Sequence, residues 1–462
     1  MKERPGPPPA APAPDPAASA RRALRLVIIA YLFLAALYAS AIPPGKGADE
    51  TAHMRYLAWL AEEHRLPVFS TKAPGADYEF HQPPLFYLTA LPTYLLAGRE
   101  GDVALQAVRF VSILLGLPLL YLTFGLGRTL APHRPWAALA ATAVVAFLPM
   151  HLGLVASVSN DVLTEVFFAA VLLLMVRHLA AASAPRAEAA RPPGAAPMAI
   201  AGLLTGLGLL TKSSAILLLP VIWTATLMGA RGPAGREWAR AAREAALATV
   251  IALAVAGWWL VRNQLLYGDP LAQRAFLSAF QDRPSPQDFI AAYMGGDAPR
   301  SLKLTLYAAQ VAAWTFASGI GAFGPVFANR FVFYPAWVYL AFGLKAMAEA
   351  GGFLRYLRQE ELADWQRQAW WLCALLGALV LASFIGFNLS FFQAQARYLF
   401  PALPAIALAL SLGLEQLAPP RLRPAVLAGG VGLLLLLGIA GLPLWVVPQF
   451  AIPLPPDLVV GR

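Results

Sequence analysis

Apolar runs of about 20 residues, the length that crosses a bilayer as a helix, recur through this chain between short polar loops. Only 13% of the 462 residues are charged and 59% are hydrophobic. A soluble domain carries about 25% charged residues. A water-soluble fold of this size has no interior large enough for that apolar surface, so the bilayer must serve as solvent. Spanning helices are expected at 24–42, 104–127, 135–152, 160–177, 197–211, 213–230, 245–262, 329–347, 369–388, 398–416 and 424–447. The expected fold class is all-α: a polytopic transmembrane helical bundle of about 11 helices.

The formal net charge is +10. The basic residues sit in short loops between apolar runs, a membrane-topology signal rather than a nucleic-acid footprint, so no nucleic-acid partner is expected. With the N-terminus in the cytoplasm beside Arg21, Arg22 and Arg25, alternation puts the later basic loops on the same side. These are Arg128 and Arg134; Arg177, Arg186 and Arg191; Arg231, Arg236, Arg240 and Arg243; Lys345, Arg355, Arg358 and Arg367; and Arg421 with Arg423. The sole cysteine, Cys373, excludes an internal disulfide.

Residues 1–23 read as a disordered, Pro/Ala-rich cytoplasmic tail, 24–448 as a single transmembrane domain and 449–462 as a short C-terminal tail. The first apolar run is long enough to be a retained helix rather than a cleaved signal. Two long segments face away from the cytoplasm, 43–101 and 263–327. Within the second, 304–323 is apolar enough to span, but a crossing there would expose Arg355, Arg358 and Arg367 outside. A re-entrant or interfacial path is therefore expected.

The first outer segment is the richest in chemistry. Asp49 and Glu50 open a helix in which His53 falls on the same face as Glu50. Leu57 and Leu60 are expected to turn toward the membrane, laying that helix in the interface plane. In the bland reading, Asp49 is an N-cap and Glu50 a helix-dipole partner. Further on, Glu79, His81 and Gln82 are held just before Pro83-Pro84, which fixes an extended approach and then a helix start. Three acids and two histidines in one loop leave a divalent metal site open, although the spacings match no fixed ligand motif.

Other polar residues stand at the outer ends of later helices: Asp161 after Asn160, Lys212 within Leu210-Thr211-Lys212, Arg262 before Asn263, and Arg397 beside Tyr398. Snorkelling accounts for each cation alone. It accounts poorly for three of them on the side that otherwise lacks basic loops. Together the acids supply a base for an attacking hydroxyl, and the cations supply a grip on a phosphate leaving group. A cleft at the bilayer surface admits a substrate with a long apolar tail. Those are the parts required for group transfer from a polyprenyl-phosphate sugar.

At these residues the sequence resembles the GT-C superfamily of membrane glycosyltransferases. It looks like the protein O-mannosyltransferase and aminoarabinose-transferase branch and related bacterial membrane proteins. The resemblance rests on Asp49-Glu50 with His53, Glu79-Phe80-His81-Gln82-Pro83-Pro84-Leu85, Asn160-Asp161, Leu210-Thr211-Lys212, Arg262-Asn263 with Tyr267-Gly268-Asp269-Pro270, and Gln395-Ala396-Arg397-Tyr398. It implies inverting transfer of a sugar from a polyprenyl-phosphate donor to an envelope lipid, glycan or protein on the extracytoplasmic face of a bacterial inner membrane. It implies Asp49 as the catalytic acid position with Glu50 beside it, and Asp161 as a second acid position. The expected substrate contacts are His53, Glu79, His81, Gln82, Asp161, Lys212, Arg262, Arg397 and Tyr398. The extra lumenal domains usual in mannosyltransferases have no counterpart here.

Two other functional classes use the same features. A transporter or lipid flippase would hold a lipid phosphate with the outer cations and do no chemistry. It would favour inverted repeats and ionisable groups near mid-membrane, and no such repeat is visible. A non-catalytic envelope-assembly protein would keep the fold with a degenerate site.

Overall fold

The computed structural model describes residues 15–70, 75–183, 195–232, 235–279, 286, 299–327 and 330–451. It is nearly all helical. Each expected helix has a counterpart, and among the described residues seven are long and apolar enough to cross a membrane. An eighth is broken: α5 (Pro135–Phe147) and α6 (Pro149–Val155) meet at 60°. The break falls at Pro149, which cannot donate to the preceding turn. The chain is a multi-pass membrane protein, and its surface shows why. On α1 (Pro16–Ala41), Leu26, Ile29 and Phe33 are exposed while Tyr31, Leu34 and Tyr38 are buried. Such an apolar exterior belongs in lipid.

Several boundaries differ from those expected. Residues 16–23, read as tail, form the first turns of α1, because Asp15 accepts hydrogen bonds from the Ala17 and Ala18 amides and Pro16 occupies the first helical position. Residues 1–14 and 452–462 lie outside the described residues. Residues 330–333, read as the start of a helix, are the second strand of an antiparallel hairpin of β3 (Ala322–Phe327) and β4 (Arg330–Phe333). Its register pairs Ala322 with Phe333 and Phe323 with Val332. A shorter hairpin, β1 (Arg231–Gly232) with β2 (Gly235–Arg236), joins α9 (Leu218–Gly229) to α10 (Trp238–Tyr267).

The 43–101 segment, expected to lie outside, folds as α2 (Glu50–Glu63), a 3-10 turn (Gly75–His81) and α3 (Leu85–Leu96), followed by the long α4 (Gly101–Leu130). Leu57 and Leu60, expected to face lipid, are buried instead among Phe80, Phe86, Tyr87 and Val108. Tyr56 stacks on Tyr87 with ring centroids 3.6 Å apart. The aromatic residues flanking Pro83-Pro84 thus offer α2 a protein surface. The segment is tied down by Leu85, whose amide donates to Leu210 O (2.8 Å) at the end of α8 (Ala195–Leu209).

At the centre stands α7 (Asp161–Ala182), buried along most of its length. The last part of the bundle comprises α11 (Gln273–Ala279), α12 (Arg300–Ile320), α13 (Ala336–Gln359) and α14 (Asp364–Asn388). A 3-10 turn (Ala396–Ala402) then leads into α15 (Leu403–Leu417), and α16 (Arg423–Gly441) follows. α12 covers the stretch expected to be re-entrant and is a continuous helix of 21 residues.

Candidate active site

The residue before α2 has an unusual backbone conformation. Asp49 has φ 54°, the left-handed region that costs a side-chain-bearing residue strain. It makes no capping hydrogen bond. Its carboxylate turns away from the helix it precedes. Oδ1 accepts from the Tyr78 hydroxyl (2.7 Å) and Oδ2 pairs with Arg397 Nη2. Burial alone would raise this carboxyl; Arg397, His53 and the Tyr78 hydroxyl outweigh burial and hold it below its usual value. The same contact and burial push the Tyr78 phenol up.

Arg397 is the hub. It sits in the 3-10 turn before α15, where Pro401 and Pro404 follow. Its Nε donates to Gln395 Oε1 (2.7 Å) and its Nη2 lies 3.3 Å from the Tyr398 hydroxyl, so both sequence neighbours brace it. Its Nη1 reaches Asp161 Oδ2 at 3.3 Å. Asp161 opens α7, where the helix N-terminus favours an anion. It also accepts from Ser159 Oγ (3.0 Å) and pairs with Lys212 Nζ. The Lys212 ammonium lies 5.6 Å from the centre of the Tyr398 ring. Two acids and two cations from four distant parts of the chain thus form one alternating network. The Arg397 side chain is 4% exposed and that of Asp49 30%, so the acid is the member open to an incoming group.

The network borders a cavity of about 200 Å³. His53, Glu79, His81 and Gln82 of the 43–101 segment and Asn160 before α7 line it, and Phe168, Leu217, Val380, Phe384 and Phe387 make its apolar wall. Asn160 donates to Gln82 Oε1 and to Thr211 O, both at 3.1 Å, lacing the outer segment to α7 and to the residue before Lys212. His53 Nδ1 meets the Tyr87 hydroxyl at 2.8 Å, and burial lowers the His53 imidazole. Burial likewise lowers His81 to about 4, and raises Glu79.

Two expected site residues stand elsewhere. Glu50 faces away from the cavity into a buried ion pair, with Arg109 Nε 2.8 Å from Oε1 and Nη2 2.6 Å from Oε2. The Gly45 amide (2.9 Å) and Val158 amide (3.2 Å) complete its shell. Arg109 also donates to the carbonyls of Ala39 (2.6 Å) and Ile42 (2.8 Å), at the open end of α1. Arg262 donates to Pro67 O (2.6 Å) and lies 4.7 Å from the Trp259 ring, so it clasps the outer segment and does not line the cavity. The Tyr267-Gly268-Asp269-Pro270 turn is structural. Gly268 ends α10 at φ +67°, the Tyr267 hydroxyl accepts from the Phe69 amide (3.0 Å), and Asp269 accepts from the Leu271 and Arg274 amides.

Four residues at or behind the cavity escaped the sequence reading: Tyr78, Arg109, His151 and Glu165. Arg109, His151 and Glu165 lie inside apolar runs, where an ionisable group is itself a signal. Among the described residues no group of three or more His, Cys, Asp and Glu side chains is arranged to hold a metal ion. Asp49 and Asp161 already face cations, and His53 Nδ1 is taken by Tyr87, so these residues do not fit a divalent ion as they stand.

No protein-family model matches the sequence, and no curated protein matches it. Solved structures do. ArnT from Cupriavidus metallidurans in the apo state superimposes with a TM-score of 0.51 at 17% identity, over 89% of this chain and 63% of that one. The same protein bound to undecaprenyl phosphate gives 0.50 at 16% identity, over 88% and 63%. The apo oligosaccharyltransferase of Archaeoglobus fulgidus gives 0.50 at 15% identity, over 92% and 56%. The chain thus spans less than two thirds of the length of these proteins. At such identities the likeness is one of fold: this chain shares the fold of ArnT and of that oligosaccharyltransferase.

Proposed function

We propose that this protein transfers a sugar from a polyprenyl-phosphate donor to a cell-envelope acceptor on the extracytoplasmic face of a bacterial inner membrane, with its N-terminus in the cytoplasm. The observation that carries the reading is the convergence of Asp49, Asp161, Lys212 and Arg397 on one cavity with an apolar wall. An ArnT structure of the same fold holds undecaprenyl phosphate, a ligand of the proposed donor's chemistry.

In this account the acceptor hydroxyl meets Asp49, the least buried member of the network. Asp49 takes its proton as the oxygen attacks the anomeric carbon from the face opposite the phosphate. The bond from that carbon to the phosphate oxygen breaks, and its electron pair stays with the polyprenyl phosphate. Arg397 and Lys212 receive that charge. Asp161 holds both cations in place before the donor arrives. His53, Glu79, His81, Gln82 and Tyr398 surround the transferred group, and the apolar wall accepts the start of the lipid tail. Glu50, paired to Arg109, positions the backbone that carries Asp49. No step needs a metal.

The experiment is reconstitution of the purified protein with polyprenyl-phosphate sugars and candidate acceptors, read by mass spectrometry of the products, beside envelope glycans of a strain lacking the protein. Sugar transfer with release of polyprenyl phosphate supports the proposal. Movement of the intact donor across the bilayer without cleavage would replace it with a flippase.

A further inference from the structure

Four residues after Asp161, on the same face of α7, stands Glu165. It lines the cavity between Thr164 and Phe168, about 6 Å along the helix from Asp161. Its side chain is 1% exposed. Its Oε2 meets His151 Nε2 at 3.2 Å, and its Oε1 has no hydrogen-bond partner among the described residues. His151 is fully buried on α6, just after the break at Pro149, and packs edge-on against Phe400 with centroids 5.8 Å apart. The bend in the helix and that ring fix the imidazole, and the imidazole fixes one carboxyl oxygen.

Asp161 and Glu165 share a wall but differ in what they hold. Asp161 is engaged by Lys212, Arg397 and Ser159. Glu165 has no Lys or Arg within salt-bridge distance among the described residues; its one partner is the His151 imidazole. An orphan carboxyl oxygen at a cavity wall is costly, and nearly all such groups in folded proteins find a partner. The residues of the apolar wall supply none. A ligand with an O–H or N–H group does.

We infer that Glu165, oriented by His151, is a sugar-recognition residue: its free carboxyl oxygen accepts a hydrogen bond from a hydroxyl or amino group of the lipid-linked sugar. The spacing fits, since a sugar ring spans about one helical turn and the proposed phosphate site lies one turn away at Lys212 and Arg397. The role is selective, because a site built to bond a ligand hydroxyl discriminates against a ligand lacking it. His151 acts through Glu165 as a positioning residue. This inference rests on the proposed donor site, and its test separates the two.

Undecaprenyl phosphate and its glucose, mannose and aminopentose esters are titrated against the purified protein and its Glu165→Gln, Glu165→Leu, His151→Gln and His151→Leu variants. Wild type should bind at least one sugar ester more tightly than undecaprenyl phosphate alone. Both Glu165 variants should weaken that ester by about tenfold to a hundredfold, while binding of undecaprenyl phosphate alone stays within about twofold. His151→Gln retains a donor for Glu165 and should keep more of the sugar-dependent affinity than His151→Leu. Unchanged preference for the ester in folded Glu165→Gln and Glu165→Leu overturns the inference and leaves the donor reading intact. Equal loss of both ligands also overturns it, because Glu165 then acts on the phosphate or the fold. Failure of wild type to bind any of these lipids removes the donor reading itself.

Discussion

Arg397 and Asp49 lie 348 residues apart in the chain, yet the guanidinium of one closes on the carboxylate of the other while also reaching Asp161. The pairing gives each partner its task. In the proposed reaction the acid stays charged, and the cation, held at the cavity wall, exchanges a carboxylate for a phosphate. A guanidinium makes this bridge because its fork serves two anions at once, which an ammonium serves poorly. Arg397→Lys should therefore raise the donor KM about tenfold or more, and Arg397→Ala should raise it further. If Arg397 only snorkels, Lys serves equally well and donor titration gives wild-type values.

The adjacent acids Asp49 and Glu50 should separate by phenotype. Glu50 and Arg109 have fully buried side chains, so removing either partner strands the other. Glu50→Gln or Arg109→Met should lower stability by about 3–5 kcal/mol, visible as a lower Tm and poor yield in detergent. Glu50→Gln with a wild-type Tm and abolished turnover would make Glu50 a participant in the chemistry instead.

The acidity of the outer segment fixes the pH response. Burial, followed by the opposing pull of Arg397, leaves the Asp49 carboxyl below its ordinary 3.8. The base is thus charged throughout the neutral range, and a sugar phosphodiester carries no proton to lose there. As far as Asp49 sets the profile, kcat/KM should be flat through the neutral range, with its acid limb below the ordinary carboxylate range. His81 contributes to stability with a definite sign. Its pKa falls from 6.5 to about 4 on folding, so its contribution is complete above 6.5 and is lost as pH drops toward 4. Tm should decline across that window, and less so in His81→Gln.

Much of this site was legible in the sequence, for a topological reason. Asp161, Lys212 and Arg397 each stand at an end of an apolar run, the end that the charge rule assigns to the side lacking basic loops, and groups sharing one membrane face have few places to go. Arg262 shows the same local pattern, and only the extra turn of α10 up to Tyr267 sets it beside Pro67. Glu50 could not be told from Asp49 without Arg109, a partner 59 residues away inside an apolar run. The second strand of the hairpin, Arg330–Phe333, reads as helix in the sequence because short apolar runs lack a decisive period.

The path of α12 is a further expectation. If Arg300–Ile320 does not cross the bilayer, the basic end of α13 stays in the cytoplasm with the other basic loops. A thiol introduced as Arg358→Cys, with Cys373 replaced, should then resist a membrane-impermeant reagent in intact cells. Rapid labelling there would put that loop outside and require one more crossing.

The central claim is that Asp49 is the base. Asp49→Asn keeps the side chain's size and its bond from Tyr78 while removing the basicity. The direct measurement is turnover of a polyprenyl-phosphate sugar by purified Asp49→Asn beside wild type, with donor binding and Tm recorded on the same samples. The account predicts a fall in kcat of at least about a hundredfold, with donor binding and folding retained. Wild-type turnover by the folded variant would contradict it.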